Sequence, residues 1–144
     1  MEKEKIGLFL QLKGDLFPVN KHEDIGNRLA NASETKWRMI YDADYKKPLT
    51  SLLLTIFLGV FGAHWYYLKN RKLLMRKLVS IILIGIGFGI GFAFYGFLLW
   101  IAVSFLVLAT IVLYGCLFWN LNDIFTIRKK TQNYNYQYLL TLLN

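Results

Sequence analysis

Cysteine is nearly absent from this sequence, and negative charge is nearly absent from most of its length. The one cysteine, Cys116, lies inside an apolar run. Alone, it excludes an internal disulfide and any multi-cysteine zinc site, and its ordinary role is that of a small buried hydrophobe. The two histidines, His22 and His64, stand far apart in the chain, so there is no metal-ligand spacing and no cofactor is expected. Paired carboxylates, a nucleophile–base arrangement and a phosphate loop are all missing. GIGFGIG does contain Gly-x-Gly, but within an apolar stretch instead of between a strand and a helix. The sequence therefore reads as non-enzymatic. The start, MEKEKIGLFLQLKGD, has acids early and no apolar core long enough for a signal peptide, and neither end carries a lipidation motif.

Of the nine Asp and Glu, eight fall in the first 48 residues, where nine Lys and Arg balance them. After Pro48 the only acid is Asp123. It faces eight cations: Lys69, Arg71, Lys72, Arg76 and Lys77 in one segment, and Arg128, Lys129 and Lys130 in another. The net charge of +8 thus resides beside apolar segments, where Lys and Arg set orientation and meet anionic head groups of a bilayer. A nucleic-acid-binding face would gather these charges on one soluble surface, so no nucleic-acid partner is expected. Apolar residues make up 56% of the chain and concentrate after Pro48, beyond what a soluble domain of this size needs.

Three regions follow. Residues 1–47 read as a short helical arm, soluble or interfacial. Ile6, Phe9 and Leu10 recur at helical spacing up to Gly14; Asn20 with Glu23 resembles a capping box, followed by the stripe Ile25, Leu29, Ala32; and Ser33 caps a turn carrying Trp37, Ile40 and Tyr41. With so few large apolar residues, the arm is expected to pack on a membrane surface or a partner.

Residues 48–130 read as a membrane domain. Pro48 suits a first helical turn, and Leu49 to Leu68 has no fixed charge over a length sufficient for a hydrocarbon core of roughly 30 Å. Gly59 and Ala63 form a small-xxx-small pair, and Trp65, Tyr66 and Tyr67 fall where an aromatic belt lies. After the basic segment 69–77, residues 78–127 are apolar. A straight helix of that length would reach about 75 Å, so the segment must fold back. The break is expected at Trp100 to Ser104, with Gly85, Gly87, Gly89 and Gly91 as packing positions at GxxxG spacing; a break within the glycines is the competing reading. About three hydrophobic spans result, two plus a third or re-entrant one, in an all-α integral membrane protein. Residues 131–144 read as a separate polar-aromatic tail, a short interfacial helix following the stop at 128–130.

Two pieces, KKPLTSLLLTIFLGVFGAHWYYLK and FWNLNDIFTIRKK, resemble the TM-two domain family, named for its pair of membrane helices joined by a short linker. The first is similar to the family's apolar run, FLGxxG step and aromatic loop; the second, with Trp119 and Asp123, to its closing tryptophan–aspartate segment and basic stop. The Lys46-Lys47-Pro48 step also resembles bacterial members. The sequence departs from the family in carrying Trp65 at the loop arginine and extra apolar residues between Lys77 and Tyr114. The resemblance implies a small integral protein of a bacterial inner, or cytoplasmic, membrane.

The motif residues Gly59, Gly62, His64, Trp65, Tyr66, Trp119 and Asp123 are the candidate site. With the family arginine gone, Asp123 is expected to approach His64 or Arg71 and so hold the first loop against the last span; its bland alternative is a polar anchor beside Trp119, Asn120 and Asn122. The expected function is packing against itself, as a homo-oligomer, or against a membrane partner, in the manner of an accessory or immunity-type protein. The rival is a small channel or transporter subunit with a glycine-lined path and Asp123 as its selectivity group. Three spans and the basic loop would place the arm outside, whereas the resemblance and the absent signal peptide favour a cytoplasmic arm. An even number of crossings reconciles the two.

Overall fold

The structure, a computed structural model, describes residues 3–94 and 99–144, which are helical throughout their ordered elements, with no strand among them. The helices are α1 (Lys3–Lys13), α2 (His22–Ala30), α3 (Glu34–Asp42), α4 (Pro48–Leu58), α5 (Ala63–Tyr67), α6 (Arg71–Phe94) and α7 (Leu99–Leu143), with 3-10 turns at Gly14–Leu16 and Val19–Lys21. They form two compact units, residues 1–51 with 126–144, and residues 52–125.

In the first unit the arm acquires the core that its own sequence is too short to build. Phe9, Phe17, Ile25, Leu29 and Ile40 are fully buried together with Leu139 from α7, and Trp37, Tyr45 and Tyr136 complete the cluster. The aromatic rings meet edge to face, as their quadrupoles favour: Phe9 with Trp37 at 5.6 Å and Phe17 with Tyr45 at 4.9 Å. Residues 131–144 are therefore no separate interfacial helix. They are the end of α7, and the arm closes on them. Arg128, Lys129 and Lys130 lie inside the same helix, because Lys and Arg are good helix formers and end an apolar stretch without ending the helix.

Asn135, fully buried, fixes this closure. Its amide Nδ2 donates to the carbonyls of Leu16 (2.9 Å) and Lys46 (2.7 Å), and its Oδ1 accepts from the Lys46 N–H (2.9 Å). Nearby, the Ser51 and Thr131 hydroxyls meet at 2.6 Å, and Thr131 donates to the Ile127 carbonyl. The Tyr136 hydroxyl donates to Asp24 at 2.6 Å; that bond, reinforced by Arg28, holds the Asp24 carboxyl below its usual range. Burial pushes the Tyr45 phenol up, and its hydroxyl donates to the Ile40 carbonyl. Ser33 caps α3 as its position suggests, whereas the expected Asn20 box does not form: α2 begins at His22, and Asn20 lies in the preceding 3-10 turn.

The second unit corrects the expected spans. Pro48 does open a helix, but α4 has 11 residues, about 16 Å, roughly half a hydrocarbon core. Gly59 to Gly62 is a turn, so Gly59 and Ala63 do not share a helix face. Residues 100–104, the expected break, are helical and belong to the start of α7. The glycine run is helical too, within α6. α6 and α7 run antiparallel: Lys77 meets Asn120 and Asp123, Gly87 meets Ala109, and Gly91 meets Leu106.

The four glycines divide into two faces. A Cβ on Gly87 would lie 2.9 Å from the Ala109 Cβ, and one on Gly91 would lie 2.7 Å from Leu106, so this pair admits α7 closely. Gly85 and Gly89 face open space. The expected outcome is that Gly87→Leu destabilises the helix pair by about 1–3 kcal/mol through overpacking, whereas Gly85→Leu stays within about 0.5 kcal/mol. Thermal unfolding followed by circular dichroism reads both. In the first unit, Asn135→Ala strips the Leu16 carbonyl of its Nδ2 donor and should cost about 1–3 kcal/mol for that group, seen as release of the arm to limited proteolysis.

Candidate functional site

Chain direction in the second unit is set by two backbone features. Gly62 adopts φ +77°, in the left-handed region where a side chain is strained, and its carbonyl accepts from the Trp65 N–H at 2.9 Å to start α5. Gly59 is required for a different reason. The space a Cβ would take is occupied by the Thr55 carbonyl and the Asn120 side chain. The small-residue step thus serves as a sharp corner. It turns His64 and Trp65 inward, to 0% and 4% exposure, while Tyr66 points out at 77%. The ring cluster read as one aromatic belt is split by this corner, with the Trp65 ring tilted against His64 at 4.9 Å and Tyr66 outside.

Behind the corner lies a buried ionic cluster built from three elements. Asp123, on α7, is fully buried. One of its oxygens, Oδ2, is 3.1 Å from His64 Nε2 and 3.0 Å from Lys77 Nζ. Lys77, on α6 and only 4% exposed, also donates to the Gly59 carbonyl at 2.9 Å and to Asn120 Oδ1 at 3.3 Å. These three acceptors match the three donors of an ammonium group. Its Nζ also lies 5.6 Å from the centre of the Trp119 ring, a cation–π distance. Trp119, Asn120 and Asp123 fall at i, i+1 and i+4 and present one face of α7 to the lysine.

The structure therefore brings together Gly59, Gly62, His64, Trp65, Trp119 and Asp123, and leaves Tyr66 and Asn122 on the outside. Of the two partners expected for Asp123, His64 is in contact; Arg71 is exposed in the first turn of α6. The neutralising cation is Lys77, which the sequence places among the flanking basic residues. Lys69, Arg71, Lys72, Arg76, Arg128 and Lys129 are exposed, whereas Lys77 is inside. Leu74 and Lys77 are one turn apart, and both lie against Gly62, so Lys77 belongs to the inner face of α6.

Chemically, the cluster is a joint. Asp123 with His64 resembles part of a hydrolytic triad, yet the carboxylate is already neutralised by a lysine. No hydroxyl or thiol lies within hydrogen-bond reach of the second ring nitrogen, Nδ1, among the described residues. No group of three or more His, Cys, Asp or Glu arranged for a metal occurs among them either. A surface cleft of about 420 Å³ in the first unit, lined by Arg28, Ser33, Lys36 and Leu143, has its Lys36 ammonium held by the carbonyls of Leu143 and Asn144.

Breaking the joint on one side should be costly. Lys77→Met leaves Asp123 charged and buried and is expected to destabilise the second unit by about 3–5 kcal/mol, while Lys77→Met with Asp123→Leu recovers most of that loss. Arg71→Ala, at an exposed site, should stay within about 0.5 kcal/mol. Chemical denaturation of the four proteins checks the set. No protein-family model matches the chain, and neither does any curated protein or solved structure.

Proposed function

We propose that the chain is a small integral membrane protein in which α6 and α7 cross the bilayer as a hairpin, and which works without catalysis by packing its helices against a second copy or a membrane partner. One observation carries this reading. The two long apolar helices are barely covered, with only 11% of their most apolar windows buried. A core helix of a soluble protein would have that surface inside. Here Ile82, Leu83, Ile86, Phe92, Val107, Leu108, Ile111 and Phe118 all face outward. Apolar area of this extent is far larger than the patches soluble monomers expose, and lipid is the solvent that suits it. At 24 residues α6 is about 36 Å long, enough to cross.

Two crossings also reconcile the charge pattern. The basic segment 69–77 precedes α6, and residues 128–130 follow the apolar part of α7, so both fall on one side. The positive-inside rule puts that side, with arm and tail, in the cytoplasm, against anionic head groups. The likeness to the TM-two family, resting on its two motifs, agrees with a bacterial inner membrane. Packing is favoured over a glycine-lined path because Gly87 and Gly91 are filled by Ala109 and Leu106, and Asp123 is neutralised by Lys77. Gly85 and Gly89 leave a small-residue face of α6 for a neighbouring helix, as an accessory or immunity-type protein would need.

The expected outcome is retention in the membrane pellet after alkaline carbonate extraction. In a Cys116→Ser background, single cysteines at Lys3, Asn70 and Asn133 should react with an impermeant reagent only after the cells are opened. Lys3 and Asn70 reacting from opposite sides would defeat the two-crossing arrangement. Ion flux in reconstituted vesicles that Gly87→Leu abolishes would favour the conduit over packing.

A further inference from the structure

We infer that α4, the Gly59–Gly62 corner and α5 form a re-entrant finger. It dips into the leaflet on the basic side of the membrane, leaves on the same side, and seats Phe57, Val60 and Phe61 among acyl chains. This rests on the membrane reading and adds to the two crossing helices a lipid-facing element that does not cross.

α4 is amphipathic in the reverse of the sense that water imposes. Ser51 and Thr55, one turn apart, are fully buried, and the exposed Thr50 lies in the first turn. Leu53, Ile56 and Phe57 face outward, Phe57 at 77% exposure, and the corner continues the same surface with Val60 and Phe61. A helix on a water-facing surface turns its apolar stripe to the core and its hydroxyls to solvent. Here the protein side is polar and the outer side apolar, so the solvent that suits the outer side is hydrocarbon.

Length decides the side of entry. α4 measures about 16 Å. The chain at its end, Gly59, lies against Asn120 and accepts from Lys77 Nζ at 2.9 Å. Along α6, Lys77 is about 9 Å from Arg71 and about 26 Å from Phe94, at 1.5 Å per residue. The corner is therefore near the basic end of the hairpin. An α4 entering from the opposite side would have to cover the longer distance, and its shortfall would leave Lys46 and Lys47 in hydrocarbon. Entry from the basic side has no such cost. The exit is there too: Gly62 lies beside Leu74 and Lys77, and α5 leads back from it to Lys69, Asn70 and Arg71, all exposed where α6 starts.

Non-helical backbone is tolerated at membrane depth only where protein encloses and satisfies it. Gly59 and Gly62 are both buried. The Gly59 carbonyl accepts from the Lys77 ammonium and from the Gly62 N–H at 3.0 Å, and the Gly62 carbonyl accepts from Trp65. At the foot of the finger, exposed Lys69, Arg71 and Lys72 complement the anionic head groups through which it passes.

The test uses the full-length chain in a Cys116→Ser background. Single nitroxide labels are attached at Phe57→Cys, Phe61→Cys, Asn70→Cys and Ile86→Cys, all exposed sites, in vesicles of phosphatidylethanolamine and phosphatidylglycerol. Collisions with oxygen, which partitions into lipid, are compared with those of a water-soluble nickel chelate. The expected result is a loss of nickel collisions and a gain of oxygen collisions at Phe57 and Phe61 relative to Asn70, with Ile86 deeper than either. In cells, Lys47→Cys and Asn70→Cys should react with an impermeant reagent from the same side. Nickel collisions at Phe57 and Phe61 that match Asn70 would overturn the finger, while a lipid-held Ile86 keeps the membrane reading. Lys47 and Asn70 reacting from opposite sides would overturn it by making α4 a crossing. Spin–spin broadening at Phe61 that dilution with unlabelled protein removes would assign the patch to a second copy, and overturn it as well. Nickel collisions at Ile86 would defeat the membrane reading itself, and the finger with it.

Discussion

Lys77 and Asp123 are each too costly to bury alone, and the second unit is arranged so that neither is. The pair sits where the Gly59–Gly62 corner, α6 and α7 converge, and every hydrogen on the ammonium has an acceptor from one of them. A buried ion pair is weak evidence for added stability compared with an apolar contact, but strong evidence for a required geometry, since one misplaced partner strands a charge. Apolar packing between α6 and α7 would tolerate sliding by a turn. The lysine, the aspartate and the glycine carbonyl do not. Register of the hairpin is therefore set at its charged end, and the close approach of Gly87 and Gly91 to α7 follows from that register.

The two glycine pairs show how one helix can serve two purposes. Two residues around α6, the same GxxxG spacing appears on a packed face and on an open one. A sequence pattern reports that close approach is allowed; it does not report which neighbour takes advantage of it. The packed pair is used within the chain, which is why a path through the glycines is the less favoured reading. The open pair remains available to a helix from elsewhere.

Helix content, the arm's buried stripe of Ile25 and Leu29, the helix starts at Ser33 and Pro48, and the contact of Asp123 with His64 were all legible from residue type and spacing. What was hidden has physical causes. Composition marks α4 as a span, but two glycines, one forced into a left-handed conformation, cut it at half length. The reversal was sought at Trp100 because tryptophan favours interfaces, yet Trp100 is 85% exposed on the first turn of α7. Lys77 was hidden by its neighbours. Four adjacent cations are exposed, and the fifth differs only in its position on the helix. The tail was hidden because its partner lies more than a hundred residues away, as the Asp24–Tyr136 bond illustrates, and such pairings leave no local pattern.

That last feature has a bearing on biogenesis. Phe9, Phe17, Ile25 and Leu29 leave the ribosome first, but the residues that complete their core, Asn135, Tyr136 and Leu139, are synthesised after α6 and most of α7. The arm must therefore wait, with its aromatic surface uncovered, while those helices are made. During that interval it is exposed to chaperones and proteases in a way the finished protein is not. Closure of the arm on the last turns of α7 then marks a chain that has been translated through Leu139, and a molecule stalled or cut before Asn135 carries an open arm by which quality control can recognise it.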